Sequence, residues 1–220
     1  GIDYKKIRTM FVTHNHTDHV LGAIWVIRKI GEDIGNGLYE GNFYVYGNDL
    51  VIEYLKLCYR MLIRAKEQPL LGTRIFLQVV EDGESKQILN RRITFFDIHS
   101  TKAKQYGFTY YYAENKKLTC CGDEPYDSSC AQYALKSTWL FHEAFCLYNE
   151  REIFKPYEKK HTTVKEACQI AAELGVDNLV LYHTEETHGK QRSALYLAEG
   201  KEYFPNNLFV PEDLATIDLE

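Results

Sequence analysis

Six consecutive residues, His14-Asn15-His16-Thr17-Asp18-His19, carry four side chains able to hold a metal ion. Neutral imidazole and carboxylate together suit zinc and its borderline neighbours manganese and iron, whereas structural zinc is more often held by cysteine. The run Met10-Phe11-Val12-Thr13 favours β structure and leads straight into the cluster, which places the donors at the mouth of a strand. In extended backbone, side chains two apart share a side, so His14, His16 and Asp18 would point to one centre; His19 then faces elsewhere or follows a turn. More donors than one ion needs leave room for a second metal. Further candidates lie downstream at His99, Asp123, His142, Glu143, His161 and His183. His188, in Thr187-His188-Gly189, reads as part of an exposed loop.

The elements that must position these groups alternate between strand and helix. Strands are expected over 43–46, 75–80, 93–98, 139–141 and 178–182. Leu21, Ile24, Trp25 and Arg28 recur at helical spacing after the first cluster, with a stop at Gly31. Asn48 can cap a helix that carries Val51, Tyr54, Leu55, Cys58 and Leu62 on one side. Thr163-Val164-Lys165-Glu166 has the pattern of a capping box, and Val164, Ala167, Cys168, Ala171 and Leu174 make one apolar face that ends at Gly175. His161 therefore sits just ahead of a helix N-terminus, where free N–H groups and the helix dipole suit an anion such as phosphate.

These motifs, taken in order, resemble a known family. The Thr13-to-His19 stretch resembles the HxHxDH signature of the metallo-β-lactamase superfamily. His99 followed by Gly107-Phe108 is similar to the third histidine motif of its ribonuclease Z branch, and Gly122-Asp123 resembles that branch's bridging aspartate. Phe141-His142-Glu143-Ala144-Phe145 resembles its "HEAT" loop, with Phe in place of the final Thr. His161-Thr162-Thr163 resembles its "HST" loop, and His183, ending the apolar run 179–182, looks like its last ligand. The resemblance implies an α/β (α+β) chain folded as a four-layer αββα sandwich. It implies two divalent metal ions, zinc first, with manganese or iron as alternatives. His14, His16 and His99 would hold one ion, Asp18, His19 and His183 the other, and Asp123 would bridge them. Asp18 would also orient or deprotonate a water, and His161, held by Glu143, would donate a proton to the departing oxygen. His142 would support the loop rather than react. A homodimer is expected on the same ground.

Two departures shape the expectation. Members of this family carry several strands ahead of the first motif, often opening with a Gly-Thr-Gly turn, but only thirteen residues precede His14. The expected domain is thus a single metallo-β-lactamase-like one over 1–220 that lacks its first N-terminal strands. Better-studied members have a long arm that grips transfer RNA between the third histidine and the bridging aspartate. Here that stretch reads as a hairpin: Phe108, Tyr110 and Tyr112 alternate, a polar turn follows at Glu114-Asn115-Lys116-Lys117, and Leu118-Thr119-Cys120-Cys121 returns.

Composition fits a soluble domain. The 220 residues are 45% hydrophobic and 26% charged, enough to bury a sizeable core. Neither a bilayer-length apolar run nor a secretory segment is visible, so no membrane partner and a cytoplasmic location are expected. The six cysteines lack paired zinc-ligand spacing and read as buried reduced thiols. Cys121, two residues from Asp123, is the one that strand alternation could turn toward the metals. A net charge of −5 argues against broad attraction to nucleic acid, although basic clusters such as Lys102 with Lys104 and Lys159-Lys160 could act locally. The function expected is a dinuclear metal-dependent phosphodiesterase acting on an RNA 3′ end or on a smaller or cyclic phosphodiester. A thioester, lactone or sulfate ester hydrolase, or a metal-binding interaction protein without turnover, are the alternatives.

Overall fold

A computed structural model describes residues 3–219. The chain falls into two compact units: one runs to Glu84 and takes in Ala103–Tyr106, and the other comprises Ser85–Lys102 and the residues from Gly107 onward.

In the first unit, β1 (Thr9–Val12), β2 (Phe43–Gly47) and β3 (Ile75–Val79) form a parallel sheet in that order. Parallel neighbours need crossovers, which are supplied by α1 (Thr17–Gly35) and α2 (Asp49–Leu62). Asn48 caps α2 as expected: its Oδ1 accepts from the Val51 N–H at 3.0 Å, while its amide donates to the Lys104 carbonyl at 2.8 Å. α1 departs from expectation in two ways. The face turned to the core is Val20, Ala23, Ile24, Ile27 and Ile30, leaving Leu21 48% and Trp25 67% exposed. The helix also continues past the buried Gly31 to Gly35, because an interior glycine weakens a helix without breaking it. Phe43, Val45, Leu55, Tyr59 and Ile75 complete this core.

In the second unit, β4 (Ser85–Ile88), β5 (Arg91–Asp97), β6 (Tyr106–Ala113), β7 (Lys116–Cys120), β8 (Trp139–Glu143), β9 (Asn178–Tyr182) and β10 (Asn207–Phe209) form one sheet. Its order is β10-β9-β8-β7-β6-β5-β4. The single-turn helices α3 (Ala131–Ala134) and α4 (Arg151–Phe154) lie in connections; α5 (Val164–Glu173) and α6 (Arg192–Gly200) are the longer ones. β6 and β7 are the expected hairpin, antiparallel with Tyr110 opposite Leu118; the polar turn is tighter than expected, since Lys116 already belongs to the strand and Asn115 takes the positive φ. No long arm interrupts residues 100–122. Gly107 is required by close approach, because a Cβ there would lie 2.5 Å from the Cys120 carbonyl oxygen.

β7, β8 and β9 run parallel, with Cys120 beside Phe141 and Phe141 beside Val180. Their C-terminal ends therefore lie along one edge, where open α/β sheets commonly bind ligands. α5 covers part of the sheet with Val164, Ala167, Cys168 and Ala171, all fully buried. Its N-terminus carries the expected capping box: Glu166 Oε2 accepts from the Thr163 amide at 2.9 Å and from the Thr163 hydroxyl at 2.7 Å. Gly175 follows in the left-handed conformation that ends such helices. Among the described residues, no helix is long and apolar enough to cross a membrane.

Candidate metal centre

In the first unit, β1 ends at Val12 and delivers a fully buried His14. Helix α1 begins at Thr17 with His16 as its N-cap, so the backbone is not extended through Asp18. The first helical turn, with the His19 N–H bonded to the His16 carbonyl at 3.1 Å, brings His19 back beside the strand end. The rings that converge are thus His14, His16 and His19, with His14 centroids 4.4 Å from His16 and 4.1 Å from His19. Asp18 takes a different place from the alternation argument: it is exposed in the first turn, with Oδ2 3.3 Å from His19 Nε2. His14 Nε2 lies 2.9 Å from His16 Nδ1, and His14 Nδ1 lies 3.0 Å from the Thr13 hydroxyl. A hydrogen bond on one ring nitrogen fixes the orientation of the other, the arrangement a ligating histidine needs.

In the second unit, three of the expected residues follow strands on the shared edge. Asp123 comes after β7 through Gly122, whose φ is +81°; Glu143 ends β8; His183 comes directly after β9. His183 Nε2 is 3.0 Å from Asp123 Oδ1. One donor atom each from Asp123, His161 and His183 lie within 4.8 Å of one another. His183 and His99 both hold positive φ, +54° and +57°, a conformation that costs free energy for a side chain with a Cβ and is concentrated at functional positions. His99, exposed after β5, joins no such three-donor cluster among the described residues; its N–H bonds Asp97 Oδ1 at 2.8 Å. Imidazole and carboxylate donors without thiolate fit a divalent metal of borderline hardness.

His161 and Glu143 form a buried couple beside these donors. Glu143 is fully buried, and its Oε1 accepts from the Thr162 amide at 2.6 Å. The Thr162 hydroxyl donates to the Glu143 carbonyl at 2.9 Å. With Oε1 committed, Oε2 faces His161 Nδ1 at 3.4 Å, an electrostatic contact longer than a good hydrogen bond. The His161 ring stacks on Phe145, with centroids 5.0 Å apart at 17°, and lies 4.8 Å from the His183 ring. Nδ1 is thereby directed to the carboxylate, while Nε2 faces Lys102 Nζ at 3.5 Å.

Other expectations resolve structurally. His142 points to the opposite face of β8, fully buried, and its Nδ1 must carry the proton because its partner at 2.6 Å is the Glu143 carbonyl. Cys121 packs with Leu140 and Ala144, and burial pushes its thiol well above the usual range; it belongs to the core. His188 is half-buried rather than exposed, because Nε2 pairs with Glu150 at 2.9 Å. Sequence reasoning missed Thr13 and Thr162 as orienting groups. The signal for Thr162 was present in His161-Thr162-Thr163, since a hydroxyl beside a functional histidine can bond neighbouring backbone.

Fold and donors together define an α/β protein equipped to bind divalent metal. The chain belongs to the beta-lactamase superfamily: residues 2–184 match the family described as beta-lactamase superfamily domain. It is 26% identical over 266 aligned positions to the ribonuclease Z of Prochlorococcus marinus strain NATL1A, a match covering 100% of this chain and 84% of the relative. The fold is shared with the metallo-β-lactamase fold protein YhfI of Bacillus subtilis, at TM-score 0.71 and 19% identity over 96% of this chain and 78% of that one. It is also shared with the short form of human tRNase Z, at TM-score 0.70 and 15% identity over 100% of this chain and 82% of that one. The expected α/β metallo-β-lactamase fold and the kinship to ribonuclease Z are thus borne out.

Proposed function

We propose that this chain is a metal-dependent phosphodiesterase of the ribonuclease Z type, acting on an RNA 3′ end or on a smaller phosphodiester. The observation that carries the reading is the buried Glu143–His161 couple, set among Asp123 and His183 at the ends of parallel strands. A solvated histidine needs no such partner; one held by a buried carboxylate is arranged to carry and release a proton. The chemistry supplied by two bound divalent ions is Lewis-acid activation of water and offset of charge on the phosphoryl oxygens.

The assignment of individual donors follows the family resemblance. On that resemblance His14, His16 and His99 would serve one ion, Asp18, His19 and His183 the other, and Asp123 would be shared between them. Zinc is the metal we infer, because imidazole dominates the set. His161 protonates the leaving oxygen through Nε2, and Glu143 stabilises the imidazolium from the Nδ1 side. Asp18, exposed and beside His19, is suited to orienting the attacking water. The hairpin between His99 and Asp123 supports a substrate that needs no transfer-RNA-gripping arm. The relative's match spans 266 positions against the 220 residues of this chain, so the relative carries insertions that this chain lacks.

We further propose a cytoplasmic homodimer. Leu21, Trp25 and Leu62, exposed on α1 and α2, line one largely apolar groove that a second copy would cover.

The test is a substrate panel on metal-stripped and zinc-, manganese- or iron-loaded protein. Metal-dependent hydrolysis of bis(p-nitrophenyl) phosphate and of dinucleotides is expected. Hydrolysis of thioesters or lactones without any phosphodiester cleavage would overturn the reading.

A further inference from the structure

The loop after His99 places a cation at the reactive end of His161. Lys102 Nζ lies 3.5 Å from His161 Nε2, donates to the Lys159 carbonyl at 3.1 Å and lies 3.9 Å from Glu124 Oε1. The side chain is only 24% exposed, so the ammonium is held over the site rather than left in solvent. Its loop is fastened by Glu124, 8% exposed, which accepts from the Ser100 hydroxyl at 2.5 Å and from the Thr101 amide at 3.4 Å. The Lys102 amide in turn bonds Ser100 Oγ at 3.2 Å.

We propose that Lys102 is a substrate-binding residue that donates to a non-bridging phosphoryl oxygen, a contact resting on the phosphodiesterase reading above. A proton released from Nε2 goes to an oxygen within hydrogen-bond reach of that nitrogen, roughly 2.6–3.2 Å. The non-bridging oxygens on the same phosphorus are one bond angle from that oxygen. An ammonium 3.5 Å from Nε2 therefore stands within reach of them. Of its three N–H donors, one is engaged at 3.1 Å, while the partners at 3.5 and 3.9 Å are long enough to yield to an anionic oxygen. Glu124 fixes where the loop runs, and the Lys159 carbonyl fixes where the stem ends, so little ordering remains when the anion arrives. Lysine serves here as a point charge for phosphate.

Orthophosphate is the probe. Its affinity for zinc-loaded protein is measured by titration calorimetry for wild type, Lys102→Met, Lys102→Gln and Lys102→Arg, with circular dichroism and metal content alongside. Loss of one charged hydrogen bond predicts roughly 10- to 100-fold weaker phosphate binding in the Met and Gln variants, with most of it recovered by Arg. kcat/KM for bis(p-nitrophenyl) phosphate falls in parallel, with metal content unchanged. Wild-type phosphate affinity in folded Lys102→Met protein, or no phosphate binding by wild type, overturns the proposal. A wild type that cleaves no phosphodiester, but whose phosphate affinity still depends on Lys102, overturns the phosphodiesterase reading and leaves the anion contact standing.

Discussion

Replacing Glu143 by Gln separates proton donation from every other role of the site. The two oxygens of Glu143 are not equivalent, because the Thr162 amide requires an acceptor and holds Oε1 at 2.6 Å. The variant's carbonyl oxygen must take that position, which turns its NH2 group toward His161 Nδ1. A donor then faces the nitrogen that, in a proton-carrying imidazolium, is itself a donor. The wild-type carboxylate, 3.4 Å from Nδ1, instead attracts the imidazolium by about 5 kcal/mol at an effective dielectric near 20. That figure is a ceiling, and the contribution expected of a general acid is about 10²- to 10⁴-fold in rate. The assay compares leaving groups. Glu143→Gln should lower kcat for a dinucleoside monophosphate, which expels a ribose alkoxide, by about 100- to 1000-fold. For bis(p-nitrophenyl) phosphate, whose phenolate leaves without a proton, the loss should stay under about tenfold. Equal losses on the two substrates, or none on the dinucleotide, would refute the role given to the couple.

Three further outcomes follow from packing, protonation and surface. Gly107→Ala forces a Cβ to within 2.5 Å of the Cys120 carbonyl and should cost on the order of 1–3 kcal/mol in denaturant unfolding; an unchanged midpoint would contradict the close approach. The Tyr4 hydroxyl donates to Asp33 at 2.6 Å and, with Lys29, holds that carboxyl below its ordinary range. A lowered folded-state value stabilises above the unfolded pKa and is lost as pH falls through the folded one, so Tyr4→Phe should lower Tm at neutral pH and converge with wild type in acid, once Asp33 is protonated in the folded state. Trp25→Glu puts a charge on a residue 67% exposed, so it should leave Tm nearly unchanged while converting a dimer to monomer in sedimentation velocity; a dimer that persists would place the interface elsewhere.

What could be read from the sequence was local. Asn48 and Thr163-Glu166 announce helix starts because caps are satisfied within a few residues, and both make the bonds their spacing implies. Strand positions were legible because runs such as 179–182 are apolar, as a strand covered on both faces must be. The order of the donors along the chain was legible for the same reason: each follows a strand or precedes a capped helix. The face of α1 was not, since Leu21 and Trp25 satisfy helical periodicity as well as Val20 and Ile27 do, and only tertiary packing decides between adjacent stripes. The placing of Asp18 depended on where the helix begins, and nothing in His16-Thr17-Asp18 fixes that residue. Lys102 and Glu124 lie 22 positions apart and meet only through the fold, so a lysine that read only as part of a basic cluster became a neighbour of His161. His188 likewise found Glu150 across 38 residues.

Metal stoichiometry in wild type and in Asp123→Ala, measured by inductively coupled plasma mass spectrometry on zinc-saturated, desalted protein, tests the central claim most directly. A dinuclear centre with Asp123 as the shared ligand predicts about two zinc ions per wild-type chain and one or fewer in the variant. A wild type that retains no more than one ion, or a variant that keeps both, would contradict it.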